Sequence, residues 1–492
     1  MSTSQRRVVI VGAGLSGPLM AIYLARRGLQ VELYERRGDL RREAVPLTAS
    51  KSIQLTLAER GLHALEEVGL ADRVKEACCI PLYGRAVHKE HGVTTFIPYG
   101  KNRREAIYSF SRSHLNGLLL GAAESCPGVR LFFHHRCQEM DRDTATALFL
   151  DQRTGESRRV AADAIIGADG AFSTVRQQIQ RGHRADFHQH YLRWGYKELS
   201  IAAARDGRHQ MDSGALHIWP RGDHMLFALP NLDGSFNAVC VLPFGGPHSF
   251  ESIAAGVDPV EFFDRYFPDA LPLMPRLREE LAQCPLSSFL TITTSLWHHR
   301  GKAVLIGDAC HAVVPFYGQG MNAAFEDCSV LDRSIGAHPD DWETAFAEYQ
   351  ALRKRHTDVL AELSVRNFEE LRDTVRRPMV AARKRTGILV NQLLMKSAQP
   401  IYTLVSHTNV PYAECLERAR RQDRVSRLLG LDLVVWVVSL VVFLHDLLAR
   451  GRARRNLARR TRPEPPRVEP TAEWRVAESV AAVEEESLAG KC

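Results

Sequence analysis

The run Val8-Val9-Ile10-Val11 followed by Gly12-Ala13-Gly14-Leu15-Ser16-Gly17 limits what this chain can fold into more than any other stretch. Four apolar residues bounded by glycine predict a short buried strand, and the spacing from Pro18 to Arg27 predicts the helix that follows the turn. A second strand, Val31 to Glu35, then ends in an acid about 20 residues beyond the first glycine, where a ribose hydroxyl is held in dinucleotide folds. A lone G-x-G-x-x-G marks only a tight turn. With a strand before it, a helix after it and Glu35 in place, Gly12, Gly14 and Gly17 read as the start of a parallel, dinucleotide-binding sheet.

Two later stretches repeat the strand–turn–helix pattern. Ala164 to Gly167 is a buried strand leading into Asp169-Gly170 and a helix capped by Ser173 or Thr174, which taken alone reads equally well as a simple βα connection. Ala303 to Ile306 is the other strand, followed by a Gly/Pro-punctuated loop from Gly307 to Asn322 and a helix beginning Ala323-Ala324-Phe325. Asp308, at the end of that strand, is placed to bind a ribose or ribityl hydroxyl. Gly318 and Gly320 are expected to let the backbone approach a flat ring, with N–H groups of the helix start aimed at it. A helix N-terminus favours negative charge, which a reduced flavin carries on its pyrimidine side, so the loop suits FAD better than a phosphate alone.

Between these signals the pattern changes. Arg85 to His88 and Thr95 to Gly100 predict a strand pair, Ser109-Phe110-Ser111-Arg112 caps a helix running to Ser125, and Trp194 to Phe244 alternates with hairpin signals at Arg221-Gly222-Asp223 and Asp233-Gly234. That last segment is expected to be an antiparallel meander. Beyond Asp327 the chain reads as helical, from Trp342 to Arg377 and from Met379 to Lys396, before Pro400. Leu433 to Leu444 carries no charge, and residues 428–449 suit a membrane-associating helix with the arginines after Arg450 meeting anionic lipid. From Pro463 the Pro- and Glu-rich tail is expected to be disordered.

The expected class is α/β: a Rossmann-type FAD-binding domain, an inserted antiparallel-sheet substrate domain and a C-terminal helical region. The FAD-binding domain occupies 1–78, 105–182 and 291–335, and the substrate domain 79–104 and 183–290. Helices fill 336–425, the apolar helix 426–450, and the basic then disordered tail 451–492. The net charge of +7 concentrates near the end without a recognition fold or interleaved aromatics, so nucleic acid is not an expected partner. The ten cysteines show no paired spacing, and the histidines no ligand spacing, so neither a disulfide framework nor a metal site is expected.

Taken in order, Gly12-Gly14-Gly17 with Glu35, Asp169-Gly170 and Gly307-Asp308 resemble the three nucleotide signatures of the single-component flavoprotein aromatic hydroxylases. Within that group the chain is similar to the kynurenine 3-monooxygenase family from its first strand to about Tyr402. The closer match lies in Ile97 to Gly100, Gly167 to Arg176, Leu216 to Arg221 (LHIWPR), Tyr266 to Ala270 (YFPDA) and Val314 to Asn322.

This resemblance implies that Arg85 and Tyr99 bind the carboxylate of an aromatic amino acid, with Asn367 and Tyr402 completing the pocket. It puts FAD contacts on Glu35, Arg112, Cys137, Thr174, Asp308, Met321 and Asn322, and Phe316, Tyr317 and Gly318 on the loop over the ring. The implied reaction is 3-hydroxylation of L-kynurenine with FAD, NADPH and O2, through a flavin C4a-hydroperoxide and without a general base, in tryptophan catabolism or a derived pathway. The implied location is the cytoplasmic side, with membrane association through the C-terminal helix. The chain departs from the family at Ser50, Lys51, Gln54 and Thr56 and at Phe368 and Leu371, which keeps a ring-substituted kynurenine open as substrate. Two other readings are a hydroxylase of an anthranilate or salicylate type and a membrane-tethered FAD-binding module without catalysis.

Overall fold

Val8 to Val11 are all buried, and the strand they form, Arg7–Val11, lies inside a six-stranded sheet. In the computed structural model, which describes residues 6–43, 54–90, 92–99, 105–376 and 399–428, the sheet order is His298–His299, Ala303–Leu305, Ala164–Gly167, Arg7–Val11, Gln30–Tyr34 and Val129–Phe132. Its inner strands are parallel, with Val9 opposite both Ile165 and Glu32, and the pair His298–His299 and Ala303–Leu305 is antiparallel at one edge. Strands covered on both faces read as unbroken apolar runs, which is why they were visible in the sequence. Helices Ser16–Arg26 and Gly320–Ala337 pack against each other beside this sheet, and a small antiparallel sheet, His135–Asp141, Thr146–Asp151 and Ser157–Ala161, lies next to it.

The second large sheet has seven strands in the order Ser287–Thr294, Phe187–Ile201, Phe236–Pro243, His224–Pro230, Ala215–Arg221, Gly84–His88 and Thr94–Pro98. The expected meander is only partly present. Ala215–Arg221, His224–Pro230 and Phe236–Pro243 are successive hairpin partners, but the long strand Phe187–Ile201 pairs with Phe236–Pro243 and Ser287–Thr294, skipping its neighbour in sequence. That strand also begins at Phe187, well before the alternation at Trp194, because residues 187–191 are exposed and carry no buried stripe to announce them. Gly84–His88 joins Ala215–Arg221 in parallel through four residue pairs, with Arg85 opposite Leu216.

The C-terminal helices Trp342–Arg376, Ile401–His407 and Tyr412–Leu428 close over the loop between Gly307 and Asn322, packing Leu360, Leu363, Leu404, Val405 and Tyr412 around Tyr317 and Ala323. A buried Leu or Tyr stabilises by roughly 1.5–3 kcal/mol, so this cluster is enough to hold the helices against the loop. No helix among the described residues is long and apolar enough to cross a membrane. The stretch 433–444 and the helix expected from Met379 to Lys396 lie outside the described residues.

Candidate active site

At the nucleotide end, Gly12 has φ 102°, and a Cβ there would meet the Ala168 carbonyl oxygen at 2.4 Å. A Cβ on Gly17 would come within 2.0 Å of the Gly12 carbonyl oxygen, whereas nothing lies within 4 Å of one on Gly14. Two of the glycines are therefore demanded by the protein's own packing, and the third borders open space that a diphosphate can enter. Asn116 Nδ2 donates to the carbonyls of Ala13 and Gly14, both at 2.9 Å, and fixes the turn from the side. Glu35 accepts from the Ala13 N–H at 2.9 Å and from Arg37 at 2.8 Å. Burial pushes its carboxyl upward, but Arg37 and the Ala13 N–H outweigh this and leave its pKa lowered.

Asp169 accepts from the backbone N–H groups of Thr174 at 2.7 Å and Val175 at 3.2 Å and from the Ser173 hydroxyl at 2.5 Å. The Asp-Gly turn thus caps the start of helix Thr174–Gln180 together with Ser173. Cys137 is buried close to Asp169, and burial pushes its thiol up to about 12, so it stays protonated and unreactive there.

Asp308 does not end the strand as expected. Gly307, at φ 61°, turns the chain after Leu305, and Asp308 opens the short helix Asp308–His311. Asp308 is exposed, yet desolvation by the protein around it raises its pKa, with Arg112 and His311 acting in the opposite direction. Pro315–Tyr317 forms a single 3-10 turn closed by Gly318 at φ 66°, where a Cβ would strike the Thr56 hydroxyl at 2.5 Å. Gly320 is not demanded in this way, since a Cβ there makes only ordinary contact with Val313 at 3.4 Å. The helix starts at Gly320 rather than after Asn322, so Met321 and Asn322 occupy its first turn. Asn322 donates to the carbonyls of Thr56 and Gly318, each at 2.9 Å, and accepts from the Ala58 N–H at 2.8 Å, stitching strand Gln54–Leu57 to the loop.

The other end of the site is built around Arg85. Its guanidinium carbon lies 4.1 Å from the Tyr402 ring centre and 5.5 Å from that of Tyr99, and Tyr402 stacks on Tyr99 at 5.3 Å and on Tyr317 at 5.6 Å. No carboxylate among the described residues pairs with Arg85, whose Nε is buried and unpartnered, as is the Tyr99 hydroxyl. Burial works against the charge on Arg85, but Tyr402 and Tyr99 outweigh it, so the pKa is raised and the guanidinium stays charged. Burial raises the pKa of Tyr99 and of Tyr317, so both remain phenols able to donate. Asn367 is tied to the neighbouring turn, its Nδ2 donating to the Phe316 carbonyl at 2.7 Å.

Phe316 itself turns away into an apolar cluster, with ring centres 4.5 Å from Phe368, 4.9 Å from Phe289 and 6.0 Å from Phe227. Trp194 packs edge-on against Phe368 at 5.1 Å. The loop thus presents a polar, cationic side at Tyr317 and an aromatic side at Phe316, which suits a ligand with an anionic end and a flat apolar end.

Cys310, His311 and Asp327 approach one another closely enough to hold a metal ion. Asp327 is already committed: its oxygens accept from His311 at 2.5 Å, from the Gly307 N–H at 2.9 Å and from Arg353 at 2.8 Å. The cluster is a buried ion-pair network rather than a vacant ligand set, and it continues through Glu326 to Arg60. The nine cysteines among the described residues are all free.

A family profile described as "FAD binding domain" matches residues 5–242 and 290–362, more than half of the chain. Kynurenine 3-monooxygenase of Salinispora tropica is 45% identical over 457 residues, covering 93% of this chain and all of that one. The chain belongs to the kynurenine 3-monooxygenase family. The enzyme of that name from Myxococcus xanthus is 42% identical over 407 residues, covering 82% of this chain and 86% of its own. Among solved structures, 2-methyl-3-hydroxypyridine-5-carboxylic acid oxygenase aligns with TM-score 0.60 at 22% identity, over 75% of this chain and 93% of its own. Pseudomonas aeruginosa PqsL in complex with 2-aminobenzoylacetate aligns with TM-score 0.58 at 19% identity, over 75% and 97%. At those identities the two structures establish the shared fold, an α/β flavin-dependent hydroxylase architecture with several sheets and C-terminal helices.

Members of the family use FAD, and the chemistry of the residues present fits it: a Cβ on Gly14 would meet nothing within 4 Å, which leaves room for a diphosphate, and Glu35 and Asp308 are carboxylates able to accept from hydroxyls. Several residues that shape the site had no signal in the sequence. Asn116, Asp327, Arg353 and the aromatic wall of Trp194, Phe227 and Phe289 act through contacts between segments remote in the chain.

Proposed function

We propose that this protein hydroxylates L-kynurenine at ring position 3, using FAD, O2 and NADPH. The observation that carries the reading is Arg85, a charged guanidinium set against two tyrosines with no acid partner among the described residues, beside a turn whose other side is lined by aromatic rings. Arg85 and the hydroxyls of Tyr99 and Tyr402 hold the amino-acid carboxylate, since a fork of charged donors and a phenol match its lone pairs. Asn367 steadies the Phe316 carbonyl, and Phe316, Tyr317 and Gly318 form the loop that orients the ring.

In the same reading, Gly12, Gly14 and Gly17 receive the FAD diphosphate and Glu35 a ribose hydroxyl. Asp308, Arg112, Thr174, Asp169, Cys137, Gly320, Met321 and Asn322 line the rest of the bound cofactor. When bound, FAD supplies the activated oxygen delivered to the ring, using electrons from NADPH. The protein's residues orient the ring, exclude water and donate hydrogen bonds. The substrate's own aniline nitrogen activates the ring, and the raised pKa values of Tyr99 and Tyr317 agree with there being no phenolate base. The apolar cluster around Phe316 keeps water from the reacting centre. The apolar stretch 433–444 with the arginines after it is further proposed to attach the protein to a membrane surface, which flotation with anionic vesicles tests.

The deciding experiment is NADPH consumption by the FAD-loaded protein with and without L-kynurenine, with products identified by mass. Strong stimulation with a product one oxygen heavier is expected. Stimulation yielding only hydrogen peroxide, or none, overturns L-kynurenine as the substrate.

A further inference from the structure

Strand Gly84–His88 alternates its side chains, so His88 points to the face opposite Arg85. There it enters a buried polar cluster made by the LHIWPR and YFPDA segments, residues for which the proposed chemistry has no use. His88 Nε2 and His217 Nδ1 are 2.8 Å apart, and His217 Nε2 lies 2.8 Å from the Asp212 carbonyl oxygen. A carbonyl only accepts, so His217 donates through Nε2 and its Nδ1 accepts from His88. Burial, and then the neighbouring His88, push His217 down to about 3, which keeps it in this neutral form.

On the other edge of the ring, His88 Nδ1 is 3.2 Å from the Thr94 hydroxyl and 3.3 Å from Asp269. The His88 ring stacks on Trp219 at 4.0 Å, and Trp219 donates to Asp269 at 2.7 Å. Arg221 completes the cluster: it donates to the carbonyls of His88 at 2.7 Å and Tyr266 at 2.8 Å and lies 3.7 Å from Asp269. His88, His217, Trp219 and Arg221 are all buried.

The cluster occupies the one parallel junction in an otherwise antiparallel sheet, where four of the five residues of Gly84–His88 pair with Ala215–Arg221. The strand on its other side, Thr94–Pro98, is the sheet edge. Arg85 therefore rides on a five-residue strand one place in from the sheet edge, paired through four residues on one side and five on the other, although a desolvated cation with no acid partner among the described residues is driven toward water. A backbone shift of the strand would relieve that cost and dismantle the anion site.

We propose that His88, His217, Asp269 and Arg221 are positioning residues for Arg85: they pin its strand from the far face, so that the guanidinium is presented, charged and unpaired, to a substrate carboxylate. This rests on the reading of Arg85 as the carboxylate ligand. The network touches neither substrate nor flavin, and it acts through one residue.

That makes a double-mutant cycle decisive. The FAD-loaded wild type, Asp269→Asn, Arg85→Ala and the double variant are compared for KM and kcat with L-kynurenine and with kynurenamine, its decarboxylated analogue. Asp269→Asn is expected to raise the KM for L-kynurenine by roughly fivefold or more, with a smaller change in kcat, and to leave the KM for kynurenamine unchanged. In the Arg85→Ala background it is expected to do nothing further.

An equal loss in both backgrounds, or an equal loss with kynurenamine, means general structural damage and overturns the proposal. If Arg85→Ala alone leaves the KM for L-kynurenine unchanged, the carboxylate reading falls first and the positioning role with it. Should Asp269→Asn not fold, Trp219→Phe, which removes the indole N–H given to Asp269 together with part of the ring stacked on His88, enters the same cycle with the same expected pattern.

Discussion

The Arg85 guanidinium lies over the ring of Tyr402, its carbon 4.1 Å from the ring centre, although one residue lies on a strand of the seven-stranded sheet and the other on a short helix near the end of the described chain. The contact brings the two parts of the molecule together at the point where an anion would bind. Replacing Arg85 with Ala should raise the KM for L-kynurenine about 10- to 100-fold, the worth of a charge-assisted hydrogen-bonded pair. Arg85→Lys should recover only part of this, because an ammonium lacks the fork. Steady-state kinetics on the two variants checks both.

The three glycines of the first turn should separate experimentally. Gly12→Ala and Gly17→Ala place a methyl 2.4 Å and 2.0 Å from carbonyl oxygens and should lower the stability of the flavin-free protein. Gly14→Ala meets nothing within 4 Å and should leave that stability unchanged while weakening FAD retention. Thermal unfolding of the flavin-free proteins, followed by FAD titration, distinguishes the two classes.

Asp327 should give the protein a specific acid sensitivity. Burial pushes its carboxyl upward, but His311 and Arg353 hold it at about 2, against an ordinary value of 3.8. The folded form therefore resists protonation more than the unfolded form, so this stabilisation is complete above about pH 4 and is lost as pH falls toward 2. Asp327→Asn should lose about 3–5 kcal/mol at neutral pH by leaving Arg353 with less compensation, and should show a flatter decline in acid. Urea midpoints measured across pH test both statements.

Asn322→Ala should remove three hydrogen bonds and strand the buried N–H of Ala58, lowering stability by about 1–3 kcal/mol. Because those bonds tie strand Gln54–Leu57 to Gly318, the variant should also release more hydrogen peroxide per NADPH consumed. A peroxide assay alongside product analysis reads the second effect.

The placement of residues in the seven-stranded sheet shows where local sequence runs out. The hairpin turns at Arg221-Gly222-Asp223 and Asp233-Gly234 were legible, since turn chemistry is local. The partner of Phe187–Ile201 was not, because its five exposed leading residues have no burial pattern and its ladder closes over a long intervening segment.

By itself the sequence determined the nucleotide-binding sheet, with its buried apolar strands, its glycine turn, the second strand leading to Glu35 and the capped helix after Asp169, because each depends on neighbours a few residues apart. Only the tertiary structure decided that Arg85 meets no carboxylate among the described residues and lies against Tyr99 and Tyr402, that Asp308 begins a helix, and that Asp327 and Asp269 anchor buried networks. A side chain's burial and electrostatic partners are set by segments that meet only after the sheets have formed, and no spacing in the chain encodes that meeting.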